Sequence, residues 1–236
     1  ACLEAVAASG SRASVVAGTG SNATARAAAA TRRAAALGAH GALVVTPYYN
    51  KPNDDGMVAH FEAVAAAAPD LPLVIYNVPG RTAVNLTPGV LERIWRLPTA
   101  VAIKESSGDL SQIDAVAREL PAGKIVLAGD DAHALASIAL GARGLVSVIG
   151  NLLPSAVRAL VDSALDDRFA DARALHGRLA PLMESLFVES NPVPLKAALA
   201  LRGLARDVVR APLAAASEAT RRRLAADLAS LEEVAA

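Results

Sequence analysis

Aromatic side chains are scarce in this chain of 236 residues: three tyrosines, three phenylalanines and one tryptophan make up 3% of it. The core must therefore be aliphatic, and a ring placed outside it needs a reason. Cysteine is nearly absent. The single Cys2 excludes an internal disulfide framework and suits a reducing cytosol. Net charge is missing too, with 23 lysines and arginines against 23 aspartates and glutamates, so no basic field attracts nucleic acid or an anionic membrane. No apolar stretch runs uninterrupted far enough to span a bilayer, and no signal-peptide pattern opens the chain. The histidines, His40, His60, His133 and His176, lack the close spacing of a metal site and are expected to be packing or surface groups.

What is present is apolar and periodic. Hydrophobic residues make up 53% of the chain, enough for a sizeable core. Six short apolar runs recur, each followed by a helical pattern: 14–17, 42–45, 73–76, 101–104, 125–128 and 144–147. They carry few polar residues before their last positions, as strands covered on both faces do. Between them, Asn22 is expected to cap an Ala-rich helix ending at Leu37-Gly38, Thr87-Pro88 to open another, and Asp109 and Asp130 to open two more. This alternation predicts an α/β fold with a parallel sheet, either a (β/α)₈ barrel or a doubly wound sheet. From Leu152 the pattern is wholly helical, so the division expected is 1–151 for the strand-bearing part and 152–236 for helices. The first ten residues read as the tail of a helix already under way, and an N-terminal portion is expected to be absent.

Polar residues gather just after the apolar runs, at the strand ends where α/β folds bind ligands. These segments are Gly18 to Asn22, Thr46 to Asn50, Tyr76 to Thr82, Lys104 to Gly108, Gly129 to Asp131 and Ser147 to Asn151. All three tyrosines fall in them. Lys104 closes the run Val101-Ala102-Ile103. Desolvation disfavours an ammonium there, and a neutral amine is a nucleophile toward carbonyls. Strand alternation puts Lys104 with Ala102 and Tyr76 with Val74, so a barrel would aim amine and phenol into one interior. A phenol within reach can carry protons for a carbinolamine. Arg81, presented by a Pro-Gly turn, offers a fork suited to a carboxylate. Lysine, tyrosine and arginine together suggest Schiff-base chemistry on a keto acid. Each has a structural counterpart: a snorkelling lysine, a core tyrosine, a solvated turn arginine. Asp130 reads better as a helix cap than as an acid, and Glu105 as a partner of a neighbour. Gly18-x-Gly20 lacks the third glycine and the distant acid of a dinucleotide loop.

The segments Thr46-Pro47-Tyr48-Tyr49-Asn50-Lys51-Pro52, Tyr76-Asn77-Val78-Pro79-Gly80-Arg81-Thr82, Ile103-Lys104-Glu105-Ser106-Ser107-Gly108-Asp109, Leu127-Ala128-Gly129-Asp130-Asp131 and Glu189-Ser190-Asn191-Pro192-Val193-Pro194-Leu195-Lys196 resemble, in order, the dihydrodipicolinate synthase family. The resemblance implies a (β/α)₈ TIM barrel with a C-terminal helical extension, a cytoplasmic homotetramer, and condensation of pyruvate with L-aspartate 4-semialdehyde toward diaminopimelate and lysine. No cofactor is implied beyond the covalent pyruvate imine. Carried over by motif, Lys104 forms the Schiff base, Tyr76 moves protons, and Tyr49 completes a relay in a neighbouring subunit's site. Arg81 holds the semialdehyde carboxylate, Val146 contacts pyruvate, and Gly129 is a close-approach backbone.

Two departures stand out. The family's first two βα units, the second ending in Thr-Thr-Gly-Glu, have no match, so the six runs correspond to strands three to eight of an unclosed barrel. The chain alone is then expected to be inactive or poorly folded. Arg26 stands where lysine-inhibited members carry an acidic residue, while Asn22 and Tyr48 match the effector site, so weak or absent lysine feedback is expected. The competing readings are a sibling pyruvate lyase (an N-acetylneuraminate lyase or a keto-deoxy sugar-acid aldolase or dehydratase), a non-catalytic relic, and, remotely, a nicotinamide oxidoreductase.

Overall fold

The computed structural model describes residues 1–233, and the chain divides into two compact units. The first comprises Ala1–Leu127 with Leu140–Arg143. It opens with helix α1 (Cys2–Ala8), in line with the helical reading of the first ten residues, and continues with β1 (Val16–Gly18), α2 (Thr24–Ala36), β2 (Gly41–Val45) and α3 (Asp54–Ala67). Then follow β3 (Leu73–Asn77), the short α4 (Pro79–Thr82), α5 (Pro88–Ile94), β4 (Ala100–Glu105), α6 (Leu110–Arg118) and β5 (Ile125–Ala128), whose last residue begins the second unit. The strands lie in sequential order in one sheet, and β1 to β4 pair in parallel. That order matches a barrel's progression; a doubly wound sheet reverses direction part-way.

Helix stripes supply the core. Met57, Phe61 and Val64 of α3, and Leu91, Ile94 and the neighbouring Trp95 of α5, are buried against the apolar strand interiors Val44, Ile75 and Ile103. The caps at Thr87 and Asp109 form as expected, Thr87 accepting from the Val90 amide (3.4 Å) and Asp109 from that of Ser111 (2.8 Å). The cap expected at Asn22 does not. Helix α2 starts at Thr24 behind Ala23, and the Asn22 backbone carbonyl instead receives the Asn50 side-chain amide at 2.8 Å. The same helix ends where expected, with Gly38 at a left-handed φ of 83°.

The second unit holds Ala128–Ala139 and the chain from Gly144 onward. It contains α7 (Ala134–Ala139), α8 (Pro154–Leu165), α9 (Phe169–Ser185), α10 (Val193–Leu201) and α11 (Glu218–Glu233). Its buried stripes, Val157-Leu160-Ala164, Leu179-Leu182-Met183-Leu186 and Leu224-Leu228, are those the helical spacing marks out. The sixth apolar run does not become a full strand. Leu145 makes a single parallel bridge to Ala128, after which the backbone amides of Val148 and Ile149 turn to the Asp131 carboxylate and the chain enters a 3₁₀ turn at Ile149–Asn151. Among the described residues no helix is long and apolar enough to cross a membrane.

Candidate active site

The register of β3 against β4 places Tyr76 directly opposite Lys104. On β3 the alternation is regular: Leu73, Ile75 and Asn77 are buried, while Val74 and Tyr76 on the other face are half-buried. On β4 the pairing steps from Leu73↔Ala100 to Val74↔Ala102, which leaves Val101 without an opposite residue and breaks the alternation expected there. Beyond that step the two strands stay in phase. The Lys104 Nζ lies 4.0 Å from the centroid of the Tyr76 ring, a cation–π distance. Lys104 is half-buried rather than sealed from water, so desolvation within this unit is partial.

A cleft of about 380 Å³ opens beside this pair, lined by Gly18, Leu43, Val45, Tyr48, Tyr76 and Arg81 among others. Its floor is apolar strand, and its polar side chains are two phenols, one guanidinium and the Thr82 hydroxyl, a set suited to a small carboxylic acid. Gly20 is required here: a Cβ would stand 2.6 Å from both the Val45 amide nitrogen and its Cγ1. Arg81 sits exposed on α4, whose end is tied to the β2 loop by the Tyr49 amide donating to the Thr82 carbonyl at 3.3 Å. A second cleft of 380 Å³ lies between α5 and α6, but its charged groups are Glu92 and Glu119 and no amine faces them.

Tyr49 is not brought to this cleft. Its side chain is 87% exposed and its backbone is left-handed, at φ 75°, followed by Lys51 at φ 47°. A tyrosine held there is strained, so the loop presents the ring outward against its own backbone preference. Asn22 and Tyr48 lie at the edge of the same region, and Arg26 is exposed on the first turn of α2.

In the second unit, Val146 follows the bridge, its amide donating to the Ala128 carbonyl at 2.8 Å, and Gly129 comes directly after β5. Asp131, 1% exposed, accepts from the Ser147 hydroxyl (2.5 Å) and the amides of Val148 (2.9 Å) and Ile149 (3.0 Å). Asp130 caps the short turn before α7, as expected, accepting from the Ala132 amide at 3.1 Å.

Two buried groups agree with their sequence readings, Glu105 as a partner of neighbours and His60 as a packing histidine. Glu105 is 1% exposed and bonded to Asn77, which is fully buried, as well as to Ser107 and Gln112. The sequence signal was present, since Asn77 and Glu105 each directly follow a reactive residue. The second is His60, 2% exposed, whose Nδ1 is 3.0 Å from the Thr24 hydroxyl while Nε2 has no partner. Burial pulls this imidazole below its usual pKa.

Comparison with known proteins places this geometry among relatives. Residues 2–231 match the model of the dihydrodipicolinate synthetase family. A 4-hydroxy-tetrahydrodipicolinate synthase of Thermomicrobium roseum is 48% identical over 224 residues, 95% of this chain and 74% of that protein. The solved 4-hydroxy-tetrahydrodipicolinate synthase of Methylacidiphilum fumariolicum superposes with a TM-score of 0.93 at 39% identity, over 98% of this chain and 76% of the other. The enzyme of Cyanidioschyzon merolae, solved with lysine bound, gives 0.94 at 38% identity, over 98% and 77%.

Proposed function

The chain belongs to the dihydrodipicolinate synthetase family, and from that premise we propose that it is a Schiff-base lyase, a 4-hydroxy-tetrahydrodipicolinate synthase condensing pyruvate with L-aspartate 4-semialdehyde. The observation that carries this reading is the Lys104 amine against the Tyr76 ring, which itself lines a cleft together with Arg81. The amine adds to C2 of pyruvate; its two protons pass, through Tyr76, to the former carbonyl oxygen, which leaves as water and gives the imine. Loss of a methyl proton makes the enamine, whose carbon attacks the aldehyde carbon while the aldehyde oxygen is protonated. The semialdehyde's own amine then displaces Lys104 and closes the ring. The imine nitrogen is the electron sink throughout, so the reading needs no metal or organic cofactor.

Arg81 suits the semialdehyde carboxylate because a guanidinium pairs with it through two parallel bonds. Carried by motif, Val146 contacts pyruvate and Gly129 allows close backbone approach. Tyr49, turned outward, serves a neighbouring copy in a homotetramer. In this reading residues 1–151 are a partial barrel holding strands three to eight, 152–236 are the last barrel helix with the C-terminal extension, and the enzyme works in the cytoplasm. At Arg26 a guanidinium would repel the ammonium of a lysine effector, so feedback is weak. Borohydride reduction in the presence of pyruvate, followed by peptide mapping, tests the chemistry in a chain that carries the family's first two βα units ahead of Ala1. A pyruvyl adduct on Lys104 is expected; an adduct elsewhere, or none, would overturn it.

A further inference from the structure

Lys104 and Tyr76 occupy the open face of their strands, but the residue after each points to the buried face, and there the two are joined. The Asn77 side-chain amide donates to both Glu105 oxygens, at 3.1 and 3.0 Å, while its own carbonyl accepts from the Leu86 amide at 3.0 Å. Glu105 also accepts from the Ser107 backbone (2.7 Å) and from Gln112 on α6 (3.2 Å). Gln112 and Asn85 bond reciprocally, at 2.7 and 3.1 Å, closing the network. No lysine or arginine pairs with Glu105 among the described residues.

A buried carboxylate with no countercharge is an expensive way to fill space, and an aliphatic residue would stabilise the position better. What an aliphatic residue cannot do is fix register. The β3–β4 ladder already slips by one residue at its other end, where Val101 has no opposite residue. A slip carried through to the carboxyl end would turn Lys104 away from Tyr76 onto the helix-covered face. The Asn77↔Glu105 pair is the last of the ladder, one step beyond Tyr76↔Lys104.

We propose that Glu105 and Asn77 are positioning residues for the reaction: a side-chain clasp that locks the carboxyl ends of β3 and β4 in register and holds the Lys104 amine against Tyr76. This rests on the synthase reading for its catalytic meaning, though not for its geometry. The clasp is directional, because asparagine supplies donors and glutamate supplies only acceptors. E105Q turns an amide donor toward the Asn77 donors. N77D sets two carboxylates against each other. Combined in N77D/E105Q, the new glutamine amide donates to the new carboxylate, and its oxygen keeps the Ser107 bond.

The test measures kcat, the rate of borohydride trapping of pyruvate on Lys104, and Tm, for the three variants and the parent chain, each extended by the family's first two βα units ahead of Ala1. Each single substitution is expected to lower kcat and the trapping rate on the order of tenfold or more, the scale of a small misplacement of reacting groups. Circular dichroism at the assay temperature should remain unchanged, and the double variant should recover most of the loss. Single variants that lose Tm yet keep parental rates per folded molecule would reduce the clasp to ordinary packing and overturn the proposal. A double variant slower than either single would do the same. If the parent chain traps no pyruvate, the synthase reading fails instead, and a crystal structure of E105Q decides the clasp: a displaced Lys104 supports it, and an unmoved 4.0 Å contact with Tyr76 refutes it. Should a single substitution prevent folding, E105D supplies the same comparison, keeping the charge with one methylene less reach.

Discussion

The two units each bury a carboxylate at a strand end, at 1% exposure, and they use it differently. Glu105 in the first unit is held by the side chains of Asn77 and Gln112 as well as one backbone amide. Asp131 in the second is held by one hydroxyl and two consecutive backbone amides, and the same Ser147 hydroxyl accepts from the Gly150 amide at 2.7 Å. The first arrangement aims side chains; the second bends backbone. A side-chain clasp can be rebuilt with other side chains, whereas a backbone turn has only the carboxylate to satisfy it.

That difference separates activity from stability, and substitutions can break it. K104A removes the proposed nucleophile, so trapping and turnover should vanish into background while Tm stays within a few degrees. Residual turnover close to the parent's would end the Schiff-base reading. D131A should act in the opposite sense, lowering the unfolding free energy by about 1–3 kcal/mol for each orphaned partner in urea titrations. If D131A cost nothing, the contrast between the units would be void. R81A returns to the first unit and should raise KM for the semialdehyde about 10–100-fold, with the trapping of pyruvate unaffected. Loss of trapping instead would move Arg81 to the keto acid.

Acidity sharpens the comparison further. Burial depresses the His60 pKa below 6.5, so its proton prefers the unfolded chain. Stability is then full above 6.5 and drains as pH falls below it. Glu189 in the second unit is held below 4.5 by the Thr220 hydroxyl and the Ser217 amide, so its contribution is lost only below that value. Urea midpoints between pH 7.5 and 5 should fall for the parent and flatten in H60Q; an equal slope in both would remove His60 from the account. The smallest effect expected is R26E, which should tighten lysine inhibition roughly fivefold, the worth of one exposed ion pair. No change would show that this position does not meet the effector.

That the proposed catalytic pair shares one sheet face was legible in the sequence because the determinants of that are local. Strand alternation sets which way Lys104 and Tyr76 point, and the order of apolar runs makes β3 and β4 neighbours. Caps at Thr87 and Asp109 were legible for the same reason. The direct opposition of Tyr76 and Lys104, and with it the clasp one step beyond, was not, because both depend on a register that shifts within the ladder. Asn22 is not the cap because α2 begins one residue later, with Ala23 at its N-cap, and Asn50, 28 positions away, bonds the Asn22 carbonyl. The sixth run ended as a bridge, and Asp131, a residue distant in sequence, holds the two amides just beyond it. The outward, left-handed Tyr49 follows from no local preference at all.

One ring not involved in the chemistry has a practical consequence. Trp95 is the sole indole of the chain, 7% exposed in the first unit, with the Lys124 ammonium 6.0 Å from its ring and bonded to carbonyls at the start of β4. The protein thus carries a built-in fluorophore within the unit that holds β4 and the proposed nucleophile. Emission and ellipticity recorded on one melting curve would tell apart the loss of the catalytic sheet from the unravelling of the helical remainder.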